Sequence, residues 1–247
     1  MRGPSPEAMG GAMIERGIIF GAPMIRAIIA GKKSQTRRVV SRTNCIIDGD
    51  KRATAEHWNQ IGIRTAWTAE GPSPAGNAGP YLKAECDCWG VEEGIVHRLY
   101  PQWHVGQKLW VRESFSLREY GPHCIESLEP AVWFWADGNP DAHNWTRPKS
   151  PIYMPRQASR LTLEIVRVGV ERVREISEED ARAEGVPCDS AAAWSDTLDY
   201  ESAVRNGHRA AFRDLWNTIH GKRPGCSWDD GPFVWVLEFK ITGGSND

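Results

Sequence analysis

The sequence predicts a mixed α+β chain built around a small β-barrel. Residues 160–165 alternate strictly between polar and apolar side chains, and the apolar face switches beyond Val166, which implies a bulge or bend of the kind that barrels need. Residues 233–239 are almost continuously apolar, which is typical of a central strand buried on both faces. Short helical patterns occur between the strand patterns, so both element types belong to one domain.

Length and charge limit the classes of protein to consider. The chain has 247 residues, of which 40% are hydrophobic, so one globular domain can bury roughly 70% of its unfolded surface. The net charge of -2 argues against a general polyanion binder, so any nucleic-acid contact must be local. Residues 1–13 are rich in Gly, Pro, Ser and Ala and lack the features of a signal peptide. We interpret them as a flexible tail before a single domain at 14–243.

No apolar run approaches the length of a membrane span. We therefore expect a soluble, cytoplasmic chain without a membrane partner. No internal repeat is evident, and nothing in the sequence requires an obligate protein partner.

The first regular elements precede a strongly basic segment. Residues 17–20 form an apolar run that predicts a buried strand. Residues 21–31 predict a helix of two to three turns, with Pro23 in its first turn and Gly31 just past its end. This helix anchors the cationic stretch GKKSQTRR at 31–38.

Periodicity fades between residues 41 and 102. Residues 71–80 are the clearest cluster of turn-forming residues in this part of the chain. We expect a loop-rich insertion with one or two short strands. Strand patterns rich in β-formers return at 109–111 and 132–135.

Two further helices are predicted in the C-terminal half. Ser177 is a candidate N-cap with Asp180 three residues on, and it opens a short acidic helix that ends near Gly185. A second helix lies between 201 and 220 and ends at Gly221, with four apolar residues on the face that packs against the barrel. These residues are Phe212, Leu215, Trp216 and Ile219.

The basic stretch at 31–38 contains the densest set of reactive groups. An extended strand would send Lys33 and Thr36 to opposite faces, whereas a turn would let them converge, and Gly31 favours the turn. The lysines and the hydroxyls of Ser34 and Thr36 could bind a phosphate, or a lysine could ease deprotonation of a hydroxyl or a water. The alternative is a solvated basic turn that leads into a strand.

Residues 28–38 resemble the signature G-x-K-[TS]-x-T-x-R of the ASCH superfamily, whose members have a PUA-like β-barrel. Three other segments resemble parts of that family in the same order: its barrel strand at 106–113, its acidic helix at 176–185 and its closing strand at 233–239. Together with 153–160, the set resembles ASCH proteins carried by bacteriophages and prophages. The resemblance implies a PUA-like mixed barrel flanked by short helices.

The resemblance also implies a reaction. Compact bacterial ASCH amidohydrolases hydrolyse N4-acetylcytidine to cytidine and acetate, and their catalytic lysine, threonine and glutamate match Lys33, Thr36 and Glu184. A lysine buried in the barrel mouth would have a lowered pKa and could serve as a base. Thr36 would attack the acetyl carbon, and Glu184 would shuttle the proton or activate the hydrolytic water. In the alternative, Glu184 is an exposed helix acid or merely neutralises Lys33.

Five further residues are predicted to bind the substrate, and neither a metal nor another cofactor is predicted. These residues are Lys32, Ser34, Arg37, Arg38 and Arg156. The four cations among them, with Lys33, are expected to form one positive patch at the barrel mouth. The expected partner is a modified nucleoside or a single-stranded or flipped-out nucleic acid.

Other ASCH proteins are ribonucleases or RNA binders. A non-catalytic reader of RNA or modified DNA is therefore the alternative function, and a ribonuclease is the third. Three departures from the compact enzymes bear on this choice: Ser34 in place of threonine, the insertion at 41–102 and the longer C-terminal helix.

Twelve tryptophans are many for this length. Those in regular apolar patterns are assigned to packing, and they are Trp110, Trp133, Trp135, Trp216 and Trp235. Those in loop-like stretches are candidates for stacking on bases, and they are Trp58, Trp67, Trp89, Trp103 and Trp145.

The six cysteines are irregularly placed, and we expect them to be reduced thiols. Cys86 and Cys88 are separated by one residue, whereas paired zinc ligands are separated by two to four, so a structural zinc site is not predicted.

Overall fold

The structure is a computed structural model that describes residues 15–40, 45–48, 66–72, 78–86, 95–118, 132–140, 145–186 and 207–244. Its α-helices in these ranges are α1 (Ala22–Ile29), α2 (Glu178–Ala183) and α3 (Gly207–His220). The predicted α+β class is confirmed. The predicted tail at 1–13 lies outside the described residues.

Eleven strands lie in the described ranges. They are β1 (Arg16–Ile19), β2 (Gln35–Val39), β3 (Cys45–Asp48), β4 (Ala66–Pro72), β5 (Ala78–Cys86), β6 (Ile95–Pro101), β7 (Lys108–Arg112), β8 (Phe115–Leu117), β9 (Val132–Phe134), β10 (Leu161–Arg172) and β11 (Phe233–Gly244).

The central sheet has the strand order β1-β7-β10-β11-β2. The strand β1 runs parallel to β7, and the other neighbours are antiparallel. The long strands β10 and β11 pair along most of their length, with a register shift between Ile165 and Arg167. This irregularity confirms the bulge predicted near Val166, and bulges bend a sheet.

The two edges of the central sheet approach each other. Arg38 on β2 donates a hydrogen bond from Nη2 to the carbonyl oxygen of Ile19 on β1, at 2.8 Å. In the described part of the chain, β1 and β2 share no backbone ladder. The sheet is therefore open, and a side chain connects its edges where the expected barrel would have a strand pair.

The region predicted as a loop-rich insertion contains a second sheet. The strands β3 to β6 form an antiparallel sheet in the order β3-β6-β5-β4. The expectation of one or two short strands is thus wrong in number. The turn-forming residues at 71–80 include the ends of β4 and β5, where Pro72 pairs with Ala78, so they mark a hairpin between two strands.

Apolar side chains cover both faces of β11. Leu237 and Phe239 pack in one core cluster with Ile25 and Ile28 of α1. Val234 and Val236 pack in a second cluster with residues of α3. The last strand is therefore buried on both faces, as its sequence predicts.

The helix α3 supplies Phe212 and Trp216 to the second cluster, as predicted. Ile219, which was expected on the same packing face, is instead 59% exposed. None of the helices in the described ranges is long and apolar enough to cross a membrane.

Candidate active site

The basic stretch turns once and then becomes extended. Gly31 adopts a positive φ of 68° just after α1, and the amides of Lys32 and Lys33 both donate to the carbonyl of Ala27. Lys33 then forms an isolated antiparallel bridge with Glu184, and β2 follows. The alternative of a solvated basic turn does not hold for Lys33, which is 4% exposed.

A tight approach of two chain segments brings Glu184 to Lys33. Ser177 caps α2 by accepting a hydrogen bond from the amide of Asp180, as predicted, and Glu184 follows the last turn. Gly185 then turns the chain with a φ of 75°. A Cβ atom at this position would lie 2.7 Å from the Cβ of Lys33, so the approach requires glycine.

Lys33 is held by a buried carboxylate. Its Nζ lies 2.7 Å from Oε2 of Glu184 and 2.8 Å from the backbone oxygen of the same residue. Burial lowers the pKa of Lys33 and the Glu184 carboxylate opposes this effect, while Arg38 and Arg37 lower it further. Lys33 therefore gives up its proton more readily than an exposed lysine, which a general base requires.

Arg37 fixes the other side of Glu184. Its Nη1 lies 3.2 Å from Oε1 of Glu184, its Nε lies 2.7 Å from Glu171 and its Nη2 lies 3.4 Å from Asp180. Burial raises the pKa of Glu171, against the effect of Arg37. We refer to Lys33, Arg37, Glu171, Asp180 and Glu184 as the lysine cluster.

The lysine cluster gives Arg37 a different role from the one predicted. Arg37 is surrounded by three carboxylates and its side chain is 1% exposed, so it is placed to position Glu184. Gln35 contributes a further hydrogen bond to Asp180, at 2.9 Å. Gln35 and Arg37 share a face because they alternate along a strand, which the sequence could have shown once the strand was recognised.

Thr36 and Arg38 lie on the opposite face of β2 from Arg37. They pair with Leu237 and Trp235 of β11, respectively. Thr36 is buried, and its hydroxyl forms no hydrogen bond with any residue that the structure describes.

Phe20 connects Lys33 with Arg38. The Nζ of Lys33 lies 5.6 Å from the centre of the Phe20 ring, and the guanidinium of Arg38 lies 5.3 Å from it. Two cations that flank Thr36 in the chain thus approach the same ring. Among the described residues, neither Lys33 nor Glu184 forms a hydrogen bond with the Thr36 side chain.

The remaining predicted binding residues do not join this site as one patch. Lys32 and Ser34 are exposed beside the buried Lys33. Arg156 pairs with Glu15 at 2.5 Å, before the first residue of β1, whereas Arg38 contacts the last residue of that strand. Four strand residues separate the two contacts by roughly 10 Å or more. Three of the five cations expected in one patch, Lys33, Arg37 and Arg156, are each paired with a carboxylate.

A second group of charges, centred on the buried Glu113, was not predicted. Arg160 makes two hydrogen bonds to Glu113, at 2.9 and 3.0 Å, and two to Asp137, at 2.6 and 2.9 Å. Its guanidinium lies 4.1 Å from the centre of the Phe134 ring. Burial raises the pKa of Glu113, although Arg160 opposes this. We refer to Arg160, Glu113, Asp137 and Phe134 as the arginine cluster.

The described residues contain no group of three His, Cys, Asp or Glu side chains placed to hold a metal ion. Cys226 is a free thiol, whereas Cys88 lies outside the described ranges. Among the loop tryptophans, Trp145 lies 5.8 Å from Trp133 between ring centres. Trp58 and Trp89 are also outside the described residues.

Comparison of the chain with protein-family models, with curated proteins and with solved structures finds no match in any of the three. The geometry of the site and the motif at 31–38 are therefore the grounds on which a function can be argued.

Proposed function

We propose that this protein is an amidohydrolase that removes an acyl group from a modified nucleoside, with N4-acetylcytidine as the reference substrate. The observation that carries the proposal is the buried ion pair of Lys33 and Glu184, at 2.7 Å, in which burial lowers the pKa of the lysine. A lysine whose pKa is lowered gives up its proton more readily and is thereby better suited to act as a base. The resemblance of residues 28–38 to the ASCH signature supports the same reaction.

The first half of the reaction transfers the acyl group to the enzyme. Neutral Lys33 removes the proton from the Thr36 hydroxyl, and the oxygen attacks the acyl carbon. The carbon–nitrogen bond breaks, and the nucleoside amine leaves with the proton that Lys33 had taken. The acyl group is then an ester on Thr36. General acid–base assistance of this kind is worth roughly two to four orders of magnitude in rate.

The second half returns the enzyme to its starting state. A water molecule loses a proton to Lys33, and its oxygen attacks the ester carbon. The bond to the Thr36 oxygen breaks, this oxygen takes the proton from Lys33, and the acyl group leaves as acetic acid, which releases its proton to the solvent as acetate. Glu184 holds Lys33 in place through both steps and balances its positive charge, and Arg37 holds Glu184. Arg38, whose guanidinium approaches the same Phe20 ring as Lys33, is the residue that we assign to stabilising the developing oxyanion.

One observation favours the alternative of a non-catalytic reader of RNA or modified DNA. The side chains of Lys33 and Glu184 are only 2% and 6% exposed, and each satisfies the other. A lysine that keeps its proton in such a pair would bind a ligand oxygen without taking a proton from it. The reader would bind an oligonucleotide with marked salt dependence, whereas a nucleoside hydrolase need not.

The decisive experiment incubates the protein with N4-acetylcytidine and a panel of acylated nucleosides and follows the deacylated product by chromatography. We expect cytidine and acetate in equal amounts from the wild type. Thr36→Ala should abolish turnover and Thr36→Ser should retain part of it, because serine keeps the hydroxyl. Thr218→Ala is the matched control, since it removes the hydroxyl of an exposed threonine on α3.

Full activity in Thr36→Ala would assign threonine to substrate binding and leave an activated water as the nucleophile. Absence of hydrolysis for every acylated nucleoside, together with salt-sensitive binding of a single-stranded oligonucleotide, would replace the hydrolase with the reader.

A further inference from the structure

A cavity lies beside the segments that carry Lys33 and Glu184. Its volume is about 630 Å³, and it opens between the turn after α1, the helix α2 and the start of α3. This volume is within the usual range of small-molecule sites. Its lining includes Lys32 and Gly185 but not Lys33, Thr36 or Glu184, so the cavity is distinct from the candidate active site.

The charges that line the cavity are unbalanced. Lys32, Arg182 and His208 supply nitrogen groups, and Glu179 is the acid among the lining residues that the structure describes. Neither Lys32 nor Arg182 makes an ion pair or a side-chain hydrogen bond within the described part of the chain. Cations that lack a protein counter-charge and share a concave surface attract an anion.

One ring nitrogen of His208 is engaged within the chain. Its Nδ1 lies 3.0 Å from the carbonyl oxygen of Val186. Because a carbonyl only accepts, Nδ1 carries the proton, and Nε2 of the neutral ring is an acceptor that suits a hydroxyl or amino group of a ligand and not its phosphate. The amides at the start of α3 are already taken, since those of His208 and Arg209 donate to the Glu178 carboxylate. An anion in the cavity would therefore be held by side chains.

We propose that this cavity binds a small phosphomonoester of the size of a nucleoside monophosphate. The phosphate would lie between Lys32 and Arg182, whose charges have no partner in the described residues. A phosphate alone would leave most of 630 Å³ unfilled, and Ala183 and Val186 offer an apolar wall for the rest of the ligand. Binding of this ligand does not require the proposed hydrolase activity.

Occupation of this cavity would act on the neighbouring lysine cluster through the backbone. Lys32 precedes Lys33, and Gly185 follows Glu184, so a ligand that restrains the two lining residues also restrains the ion pair. The cavity is therefore placed to influence the reactive pair without touching it.

Calorimetric titration of the full chain with adenosine and cytidine 5′-monophosphates, with the two free nucleosides and with inorganic phosphate tests this proposal. We expect the monophosphates to bind at least tenfold more tightly than the nucleosides and than inorganic phosphate. The double variant Lys32→Ala/Arg182→Ala should weaken monophosphate binding by tenfold or more. Lys222→Ala is the matched control, because this exposed cation lies just beyond the far end of the 14-residue α3, about 20 Å from His208.

Equal affinity for nucleosides and monophosphates, unchanged binding by the double variant or no binding of any probe would each overturn the proposal. Tighter binding of inorganic phosphate than of the monophosphates would reduce the site to a simple anion site and overturn the assigned ligand class. The inactive Thr36→Ala protein should bind the monophosphates like the wild type. Hydrolysis of acylated nucleosides and binding of monophosphates are thereby tested separately, so either proposal can fail without the other.

Discussion

The lysine cluster and the arginine cluster both bury a carboxylate against cations, yet only one of them is suited to chemistry. Glu184 and Glu113 have side-chain exposures of 6% and 2%. Arg160 grips Glu113 with two parallel hydrogen bonds, and an arginine keeps its proton at any ordinary pH. Lys33 makes one hydrogen bond to the carboxylate of Glu184 and one to its backbone oxygen, and its pKa is lowered by burial. If the proposed reaction holds, the difference teaches that the identity of the cation, and not the burial of the pair, separates the proposed reactive site from a structural clamp.

The largest effect is expected when Lys33 is replaced by arginine, because both clusters then pair a buried glutamate with the same cation. Lys33→Arg keeps a positive charge next to Glu184 but cannot serve as a base, so hydrolysis of N4-acetylcytidine should fall by a factor of about 10² to 10⁴. Lys33→Met should lose the same activity. Initial rates measure the effect, and circular dichroism verifies that each variant is folded.

Substantial activity in Lys33→Arg would mean that the charge alone is needed at this position. The base would then have to be sought elsewhere, and the lysine cluster would be as structural as the arginine cluster.

The second prediction addresses the arginine cluster. Arg160→Ala leaves Glu113 buried without a cation, which should lower the free energy of unfolding by about 3 to 5 kcal/mol. The turnover number of the molecules that remain folded should not change. Urea denaturation measures the first effect, and rates in conditions where the variant is folded measure the second.

Arg167→Ala is the control for this prediction. Arg167 also pairs with a carboxylate, that of Glu238, but its side chain is 69% exposed, so its loss should cost no more than about 1 kcal/mol. Equal losses in Arg160→Ala and Arg167→Ala would show that burial of the arginine cluster adds nothing to stability.

The third prediction links α2 to the lysine cluster. Ser177→Ala removes the N-cap and should cost about 1 kcal/mol of stability. Because α2 carries Glu184, the same change should also lower the hydrolysis rate, whereas it should leave the arginine cluster intact. A Ser177→Asp variant restores a cap, and recovery of both stability and rate is the expected outcome. A rate unaffected by loss of the cap would show that α2 does not position Glu184.

The smallest effect is a difference in pH dependence between the clusters. The pKa of Lys33 in the folded chain is lowered from the unfolded value of about 10.4. At a pH between the folded and the unfolded pKa, the unfolded chain holds a proton that the folded chain lacks, so stability rises with pH. The pKa of Glu113 is raised from about 4.3, so above that pH the folded chain holds the extra proton, and stability falls as pH rises through the folded pKa.

Urea midpoints measured across both windows provide the check. Lys33→Met should remove the alkaline rise and leave the acidic fall, and Glu113→Gln should do the reverse. If either variant abolished both slopes, the two clusters would be coupled and the comparison between them would fail.

Local patterns made much of the fold predictable. The alternation at 160–165 predicted β10 and its bulge, and Ser177 with Asp180 predicted the cap of α2. The sheet of β3 to β6 was missed because its strands lack strict alternation and contain glycine and proline. For strands of this kind, the structure depends on pairing with neighbouring strands, and the sequence of one strand says little about its partners.

The candidate site was only partly predictable for a related reason. The pair of Lys33 and Glu184 was expected from the family resemblance, and the structure brings the two together. The carboxylates of Glu171 and Asp180 around Arg37 could not be foreseen, because they come from elements more than 130 residues away. Long-range contacts of this kind follow from topology, which the local sequence does not specify.

The hydrogen bond from Arg38 to Ile19 also has a consequence for self-association. Edge strands with free backbone groups are templates on which a second molecule can add a strand. At this point the two edges of the central sheet face each other, and the carbonyl of Ile19 is occupied from within the chain. A single arginine side chain thereby occupies one backbone acceptor that an added strand would use, at the place where a closed barrel would have had no edge at all.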